Sequence, residues 1–259
     1  MSEPAVLYEH VDHVATLTLN RPDNRNSMTP DLLEGLSQAL RRAAADAEVR
    51  CVVITGRGTS FCAGADFKSR AADDARPPHE RSFAMYAPFL SVLELAVPTI
   101  AALNGHAIGG GLGLAVVCDL RVANREAKYG ANFVRLGLHP GMATTYLLPR
   151  LMGVPRATEL LLTGRLVSGA EAAELGLVNH AVEPEAVLPK ALALAGEIAS
   201  AAPLAVRWTK QSIYRHADWD PVSAARFEAH VQSRSFETED HREGVKALLE
   251  KRPARFVGR

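Results

Sequence analysis

The sequence of 259 residues predicts an α/β fold, in which a mostly parallel sheet is followed by a helical tail. Strand-like and helix-like segments alternate over the first half of the chain, which is typical of right-handed βαβ crossovers. Three consecutive glycines, 109–111, stand at a junction between a strand and a helix. Beyond Pro184 the pattern changes to one helix after another, without a convincing strand. Together these observations predict an α/β core with added helices.

Each element is predicted from its periodicity and its ends. Residues 11–19 alternate apolar and polar near their C-terminal end, as a half-buried strand does, and β-branched residues dominate 51–55. Thr29 and Pro30 predict a helix start, after which leucines recur at helical spacing up to about residue 47. We also predict strands at 98–103 and 119–123, helices at 80–96, 112–117, 190–201, 204–216, 222–236 and 241–251, and polar loops at 20–26 and 71–78.

We expect two regions, an α/β core over residues 1–200 and a C-terminal helical region over 201–259. The helical region is too short to hold much core by itself, so it should pack on its own core or on a neighbouring subunit. Its apolar residues, which need such a partner, are Val206, Ile213, Phe227, Val231 and Leu248. The sequence therefore predicts a homo-oligomer.

Composition excludes several classes of protein. The 47% hydrophobic and 22% charged residues are ordinary for a globular protein, and 29 basic against 29 acidic residues give no net charge that would attract nucleic acid or an anionic membrane. Cys51, Cys62 and Cys118 are widely spaced in apolar contexts, which is typical of reduced thiols rather than disulfides or metal ligands. No secretion signal or spanning segment is recognisable. We therefore expect a cytoplasmic protein without a bound metal, a nucleic-acid partner or a membrane partner.

The glycine turn at 109–111 leaves backbone amides uncovered at the positive end of a helix dipole, which favours a negative charge there. The alternative is a tight turn or close helix packing. Leu114 breaks the dinucleotide fingerprint, and the sequence contains no P-loop, no nucleophile elbow and no zinc-protease motif. A second glycine-bearing loop, 58–68, follows the strand at 51–55. Loops that leave parallel strands share one edge, so amides from both loops can converge on one oxygen as an oxyanion hole.

Six motifs in order resemble the enoyl-CoA hydratase/isomerase (crotonase) superfamily over nearly the whole chain. They lie at 20–22, 61–68, 98–111, 118–121, 160–178 and 243–253. The resemblance implies a crotonase fold, related to that of the caseinolytic protease, which has repeated ββα units and a C-terminal helical trimerisation region. It also implies an acyl-CoA substrate, trimers that often pair into hexamers, and no cofactor beyond the coenzyme A of the substrate.

The resemblance also implies roles for individual residues. The amides of Ala65 and Gly110 would form the oxyanion hole and hold the thioester carbonyl as it gains enolate character. Phe256 would reach the CoA site of a neighbouring subunit, and the other CoA-binding residues would be Asn24, Arg25, Ser27, Ala63, Asp66, Phe67 and Lys68. Alternatively, Arg25 and Lys68 are solvated surface charges and Asp66 caps local amides.

At the positions where enzymes of the family carry their acid/base residues, this chain has no side chain that can transfer a proton. Family hydratases carry glutamates where this chain has Gly113 and Phe133, and family isomerases carry an aspartate where it has Gly141. None of these three can transfer a proton. His139 is the replacement candidate, with an ordinary loop histidine as the alternative. Tyr86 and His79 lie on the segment expected to cover the acyl chain, and either side chain can reach the acyl pocket. Arg135 can face this pocket or a subunit interface. His106 is expected to shape the glycine turn.

Three interpretations follow. The first is an enoyl-CoA hydratase/isomerase-type enzyme that stabilises a thioester enolate with a non-standard acid/base, as a hydratase or as an isomerase, hydrolase or decarboxylase. The second is an acyl-CoA-binding protein with weak or no catalysis. The third, a serine peptidase of the related fold, lacks the serine that it needs on the glycine turn. Turnover of crotonyl-CoA separates the first two.

Overall fold

The computed structural model describes residues 3–66, 75–216 and 218–259 and divides the strands between two sheets. The six-stranded sheet contains, in spatial order, β1 (Val6–Val11), β2 (Val14–Leu19), β3 (Cys51–Gly56), β5 (Thr99–Leu103), β7 (Leu120–Asn124) and β10 (His180–Val182). The four-stranded sheet contains β4 (Ser60–Cys62), β6 (His106–Ile108), β8 (Lys128–Gly130) and β9 (Val167–Ser168). Paired strands are parallel except β1 with β2 and β8 with β9. The predicted α/β class is confirmed.

Helices cover the sheets and form most of the C-terminal part. They are α1 (Pro30–Ala45), α2 (Pro78–Leu90), α3 (Gly110–Val117), α4 (Thr144–Met152), α5 (Val154–Thr163), α6 (Gly169–Glu174), α7 (Val187–Ala199), α8 (Pro203–Arg215), α9 (Pro221–Ser235) and α10 (Glu239–Glu250). No single helix in the described ranges is long and apolar enough to cross a membrane; only the pair 184–199 and 203–215, bent by 108°, meets that length and composition jointly. The four helices predicted beyond Pro184 are all present.

The predicted strand at 11–19 is in fact the second half of a hairpin, and β1 was missed. The chain reverses at Asp12 and His13, which both have left-handed backbone, with φ of 47° and 67°. Hairpin turns of this kind usually carry glycine after an asparagine or aspartate, and His13 stands in its place, so the usual dipeptide signal is missing. The strands of the four-stranded sheet were also missed, because two or three residues are too few to show an alternating pattern.

Two helix predictions illustrate how local chemistry sets the ends. Helix α1 begins at Pro30 after Thr29, as predicted, but the Thr29 hydroxyl donates to the Asp31 carboxylate instead of accepting from the helix backbone. The helix predicted at 80–96 stops at Leu90 and continues as a 3-10 helix, Ser91–Glu94. Pro88 lies inside α2 and lacks the N–H for an i−4 bond, which weakens the helix just before its end. Residues 71–74 of the predicted loop at 71–78 lie outside the described residues.

The six-stranded sheet is buried on both faces. One face packs in the main core with α1 and α3, and the other packs against α7. Helix α7 presents residues 187, 191, 195 and 199 at intervals of four to alternate residues of β3, β5 and β7. Parallel sheets are typically covered in this way. Because α7 completes this core, the helices free to form a separate region are α8 to α10; the division into residues 1–200 and 201–259 remains a prediction.

An ionic cluster anchors α8 on the sheet. The Asp119 carboxylate accepts from the Tyr214 hydroxyl at 2.7 Å and lies 2.8 Å from the Lys210 Nζ. It also accepts from the Thr99 amide at 2.7 Å. Burial beside Asp119 raises the pKa of Tyr214, so this phenol stays a hydrogen-bond donor. The tail is therefore held to its own core. Its large exposed apolar residues include Ile213, Leu248 and Leu249. The oligomer, in which a second subunit would cover these residues, stays a prediction.

All three cysteines are buried, and we predict that they react slowly in the native protein. Burial raises the pKa of Cys51, Cys62 and Cys118 to about 12, so almost no thiolate exists near pH 8. An aromatic disulfide reagent should label fewer than one thiol per chain over an hour and all three after unfolding. Rapid native labelling would contradict this burial.

The same pKa shifts predict alkaline destabilisation. Above about pH 9 the unfolded chain loses thiol protons that the folded chain keeps until about pH 12. The unfolded state then binds fewer protons, so the free energy of unfolding should fall as pH rises through this window.

Candidate active site

Two glycine-bearing backbone segments meet at the C-terminal ends of β4 and β6. Gly64 has a φ of +85°, and a Cβ built on it lies 2.6 Å from the Ile108 carbonyl oxygen and 3.1 Å from the Gly110 nitrogen. A Cβ on Gly111 would collide with the Cys62 carbonyl. Only glycine therefore permits this close approach at positions 64 and 111.

The glycine turn leaves backbone amides without helix partners at the N-terminus of α3. Gly109 has φ 55° and ψ −117°, a conformation that side chains other than hydrogen disfavour, and its amide donates to the Gly130 carbonyl at 2.8 Å. The first bond of the helix runs from the Gly113 amide to the Gly109 carbonyl at 3.1 Å. The amides of residues 110–112 thus have no acceptor within the helix.

Ala65 is fixed next to this turn by the chain that precedes α1. Met28 forms a parallel bridge with Ala65, and the Met28 amide donates to the Gly64 carbonyl at 2.8 Å. The Met28 side chain in turn lies against Gly110, where it would block any added Cβ. The structure thus brings Ala65 and Gly110 to one place, and their role as the oxyanion hole stays a prediction. Sequence reasoning missed Met28, whose apolar side chain gives no signal of this position.

The shared edge that we predicted belongs to a different sheet. The loops were expected to leave β3 and β5 of the main sheet, but each passes first through a short strand, β4 or β6, of the four-stranded sheet. Strand β8 continues this row and is followed by the 3-10 helix Asn132–Leu136. Three loops therefore leave the ends of three neighbouring parallel strands, as ligand-binding loops commonly do.

The predicted CoA loop is joined directly to the loop that carries Ala65. The Ala63 amide donates to the Arg25 carbonyl at 3.0 Å, and the Ser27 hydroxyl donates to the Asn24 carbonyl at 2.7 Å. Arg25 has a left-handed φ of 59° and an exposed side chain. Asn24, Arg25, Ser27 and Ala63 thus lie in one connected region.

Buried Asn26, which sequence reasoning missed, holds the CoA loop to the strands. Its amide group donates to the Ser60 carbonyl at 2.8 Å, and its carbonyl accepts from the Arg21 amide at 2.8 Å. An asparagine between two polar neighbours gave no sign that it would be the buried one. Its three-way bonding fixes the chain direction just before Met28.

The remaining predicted CoA contacts are not all brought to this region. Asp66 is half-buried beside Ala65, whereas Phe67 and Lys68 lie outside the described residues. Phe256 packs on Gly244 of α10 within its own chain, with its ring 3.5 Å from a Cβ built there, and its carbonyl accepts from Arg50 at 2.9 Å. Contact of Phe256 with a neighbouring subunit stays a prediction.

The space beside Gly113 is filled by another residue. A Cβ built on Gly113 would collide with the Cβ of Met142 and lies 2.9 Å from its Cγ. Met142 is buried and has a left-handed φ of 59°. An unbranched thioether fills irregular space of this kind well. The position that the resemblance matches to a hydratase glutamate is thus occupied by a methionine from the loop before α4.

The other two positions that the resemblance matches to acid/base residues, 133 and 141, are also filled by non-carboxylate groups. Half-buried Phe133 has its ring 3.9 Å from a Cβ built on Gly109, next to the glycine turn. The Tyr86 hydroxyl of α2 lies against Gly141, where it would block an added Cβ. These apolar and phenolic groups leave the predicted acyl pocket without a carboxylate at any of the three positions.

The other predicted acid/base and pocket residues lie nearer the protein surface than the glycine turn. His139 is exposed on the segment between the 3-10 helix and Gly141. Exposed Arg135 donates from its Nε to the Thr163 carbonyl of α5, so it is engaged outside the glycine turn. The His106 Nδ1 accepts from the Lys128 amide at 2.9 Å, between strands β6 and β8, and its predicted role in shaping the glycine turn stays a prediction. No cluster of His, Cys, Asp and Glu within the described ranges has the geometry to hold a metal ion.

Comparison with known proteins identifies the family. The family model for enoyl-CoA hydratase/isomerase matches residues 9–259. The chain belongs to this family, within the crotonase superfamily. The (E)-benzylidenesuccinyl-CoA hydratase of Thauera aromatica is 39% identical over 258 residues, which are 98% of this chain and 99% of that protein. The crotonyl-CoA hydratase of Syntrophomonas wolfei is 37% identical over 260 residues, which span all of both proteins.

Solved structures agree with this assignment. The crystal structure of enoyl-CoA hydratase from Bacillus anthracis superimposes with a TM-score of 0.91 at 36% identity, and the match covers 98% of this chain and 100% of that one. Enoyl-CoA hydratase from Mycobacterium tuberculosis gives a TM-score of 0.89 at 34% identity, over 99% and 100% of the two chains. The crotonase fold inferred from the resemblance is therefore confirmed.

We predict that Gly111→Ala damages this enoyl-CoA hydratase/isomerase site through sterics alone. The added methyl group would meet the Cys62 carbonyl, which is backbone and cannot turn away, so the free energy of unfolding should fall by more than about 2 kcal/mol. Gly196→Ala is the matched control, because a Cβ there meets no atom within 4 Å and the residue is exposed on α7. It should stabilise by up to about 1 kcal/mol. Equal effects in urea unfolding would show that the close approach is not constrained.

Proposed function

We propose that this protein binds acyl-CoA thioesters and stabilises a thioester enolate between the amides of Ala65 and Gly110. The observation that carries the proposal is the convergence of the Gly64–Ala65 segment on the first turn of α3. Fixed backbone donors suit an oxygen that gains negative charge during reaction, since they need no reorganisation. Removal of one such donor typically costs about 3 kcal/mol of transition-state stabilisation. The full match to the hydratase/isomerase family supports the same chemistry.

The CoA portion is proposed to lie along the loop at 24–27 and to enter past Asp66, Phe67 and Lys68. The direct hydrogen bond from the Ala63 amide to the Arg25 carbonyl supports this route, since it makes the two loops one surface.

We further propose that the protein needs no cofactor beyond the substrate's own coenzyme A, works as a trimer or hexamer, and resides in the cytoplasm. The exposed apolar side chains of α8 to α10 favour the oligomer, and the reduced, buried thiols favour the compartment.

Water addition is proposed to be slow, although relatives are named hydratases. Hydration needs groups that activate water and protonate the enolate, and each such group is worth about 10²–10⁴ in rate. Met142 and Phe133 fill the corresponding space with apolar atoms. Such a lining excludes water and favours proton movement on a dry thioester, as in an isomerisation. The second candidate function, acyl-CoA binding without turnover, is favoured by the same absence of carboxylates.

We predict that CoA thioesters bind in the micromolar range and that Gly110→Pro weakens enolate-like ligands selectively. Proline removes the Gly110 amide donor and distorts the turn, while the CoA loop at 24–27 is unchanged. Isothermal titration should show a larger affinity loss for an enolate analogue than for free CoA. An equal loss for both ligands would argue against the oxyanion assignment.

We also predict slow hydration of crotonyl-CoA, and that three substitutions are needed to raise it. Sequence reasoning alone favoured Gly113→Glu with Phe133→Glu, but a glutamate side chain at residue 113 would collide with Met142. Met142→Gly opens that space and suits the φ of 59°. The triple variant should hydrate crotonyl-CoA at least about 10²-fold faster than the wild type, because two positioned carboxylates are restored.

The control is the double variant that keeps Met142, which should gain little and lose stability. Loss of absorbance of the conjugated thioester measures the rate. A wild-type rate equal to that of an ordinary hydratase would refute this proposal and would mean that a base other than the two carboxylates acts.

A further inference from the structure

We propose that the Tyr86 hydroxyl is the group that exchanges a proton with the α-carbon of the bound thioester. The inference rests on the proposed function, because it needs an enolate at the Ala65 and Gly110 amides. It goes further by naming the proton carrier that replaces the missing carboxylates. Three observations carry it, namely the position of the hydroxyl, the lack of a competing partner and the chemistry of its surroundings.

The hydroxyl stands where a side chain at residue 141 would begin. A Cβ built on Gly141 would meet the Tyr86 oxygen and lies 2.8 Å from its Cζ. The next residue, Met142, lies against Gly113, which is one helical turn after Gly110. Helix α2 also packs directly on α3. The Gly141–Met142 segment therefore connects the phenol to the first turn of α3, whose Gly110 amide is proposed to hold the carbonyl.

The hydroxyl is available for a ligand. Tyr86 is half-buried and packs against the main core through its ring. Within the described part of the chain, no group forms a hydrogen bond with its oxygen. By contrast, the phenol of Tyr129 donates to the Asn124 carbonyl at 3.0 Å and that of Tyr214 donates to Asp119. A half-buried hydroxyl with no partner among the described residues can donate to a substrate.

At Gly113 and Gly141, no other side chain competes with the phenol as a proton carrier. The side chains nearest to the glycine turn and Gly113 are those of Met28, Cys62, Asn132, Phe133 and Met142. Three of them carry no exchangeable proton, Asn132 is a neutral amide, and burial raises the pKa of the Cys62 thiol to about 12. Gly113 and Gly141 have no side chain, and of the two side chains packed against them, those of Met142 and Tyr86, the phenol is the one acidic group.

The step balances without a further reactant. The phenol O–H bond breaks and its electron pair stays on oxygen, while the proton bonds to Cα through the electron pair of the enolate C=C bond. The thioester C=O bond forms again, and the phenolate takes a proton from water. Run in reverse, phenolate removes an α-proton and leaves the enolate at the two amides. A saturated acyl-CoA should therefore exchange its α-hydrogens with deuterated water.

The test measures this exchange by mass spectrometry on butyryl-CoA, beside CoA-thioester affinity. Tyr86→Phe removes only the oxygen, so exchange should fall at least about 10²-fold while the dissociation constant changes less than about threefold. Tyr146→Phe is the matched control, because Tyr146 is exposed and its ring lies under Arg150 at 3.5 Å. It should leave both quantities unchanged. Gly141→Ala, which keeps the phenol but crowds its oxygen, should lower exchange at least about tenfold.

The outcomes separate this inference from the function on which it rests. Exchange by the wild type that persists in Tyr86→Phe overturns the role of Tyr86 and leaves the enolate function standing. Binding without any wild-type exchange overturns both and supports the binding protein. A merely structural Tyr86 would lower affinity together with exchange. The infrared band of the bound thioester carbonyl gives a further readout, since it should keep its shift in Tyr86→Phe and lose it in Gly110→Pro.

Discussion

The close approach of two backbone segments, Cys62–Ala65 and Gly109–Gly111, is the constraint on which the site depends. A Cβ at residue 111 would meet the Cys62 carbonyl, and a Cβ at residue 64 would meet that of Ile108. Without side chains the segments come close together, which is what the proposed oxyanion hole requires of amides from both. The short pairing of β4 with β6 fixes how the two segments are aligned along the strand direction. The hydrogen bond from the Gly109 amide to the Gly130 carbonyl holds the glycine turn to β8. Rigidity at this point is what makes an oxyanion hole effective, because dipoles that are already oriented need not be reorganised.

The four inner strands of the main sheet, β2, β3, β5 and β7, and the C-terminal helices were predictable from periodicity, whereas β1, β10 and the second sheet were not. Strands such as β3 and β5 are five or six residues long and mostly apolar, which is enough for a buried pattern. Strands β4, β6, β8 and β9 have two or three residues each, and their pairing is decided by the tertiary fold. The glycine turn was predicted for the right reason, an uncovered helix start, but on the wrong sheet. The role proposed for it follows from the resemblance to a family and not from the pattern alone.

The site also shows which residues no local signal reveals. Met28 and Met142 are far apart in sequence, yet one covers Gly110 and the other fills the space at Gly113. Asn26 looks like any polar loop residue, although its three hydrogen bonds hold the CoA loop to the strands. Each of these roles is a packing relation between distant segments. Such relations are fixed by shape complementarity in the folded core, which composition and spacing do not encode.

The glycines and the bulky residues at this site form matched pairs, and this couples their chemistry. Gly113 is paired with Met142, and Gly141 is paired with Tyr86, so that each absent side chain is matched by a present one that occupies its volume. A side chain added at residue 113 would meet Met142, and one added at residue 141 would meet the Tyr86 hydroxyl. A carboxylate at either position would therefore require a second substitution that makes room for it. Close packing thus makes the side chains at these positions a property of the pocket as a whole, and this supports the proposal that the site does not work as an ordinary hydratase.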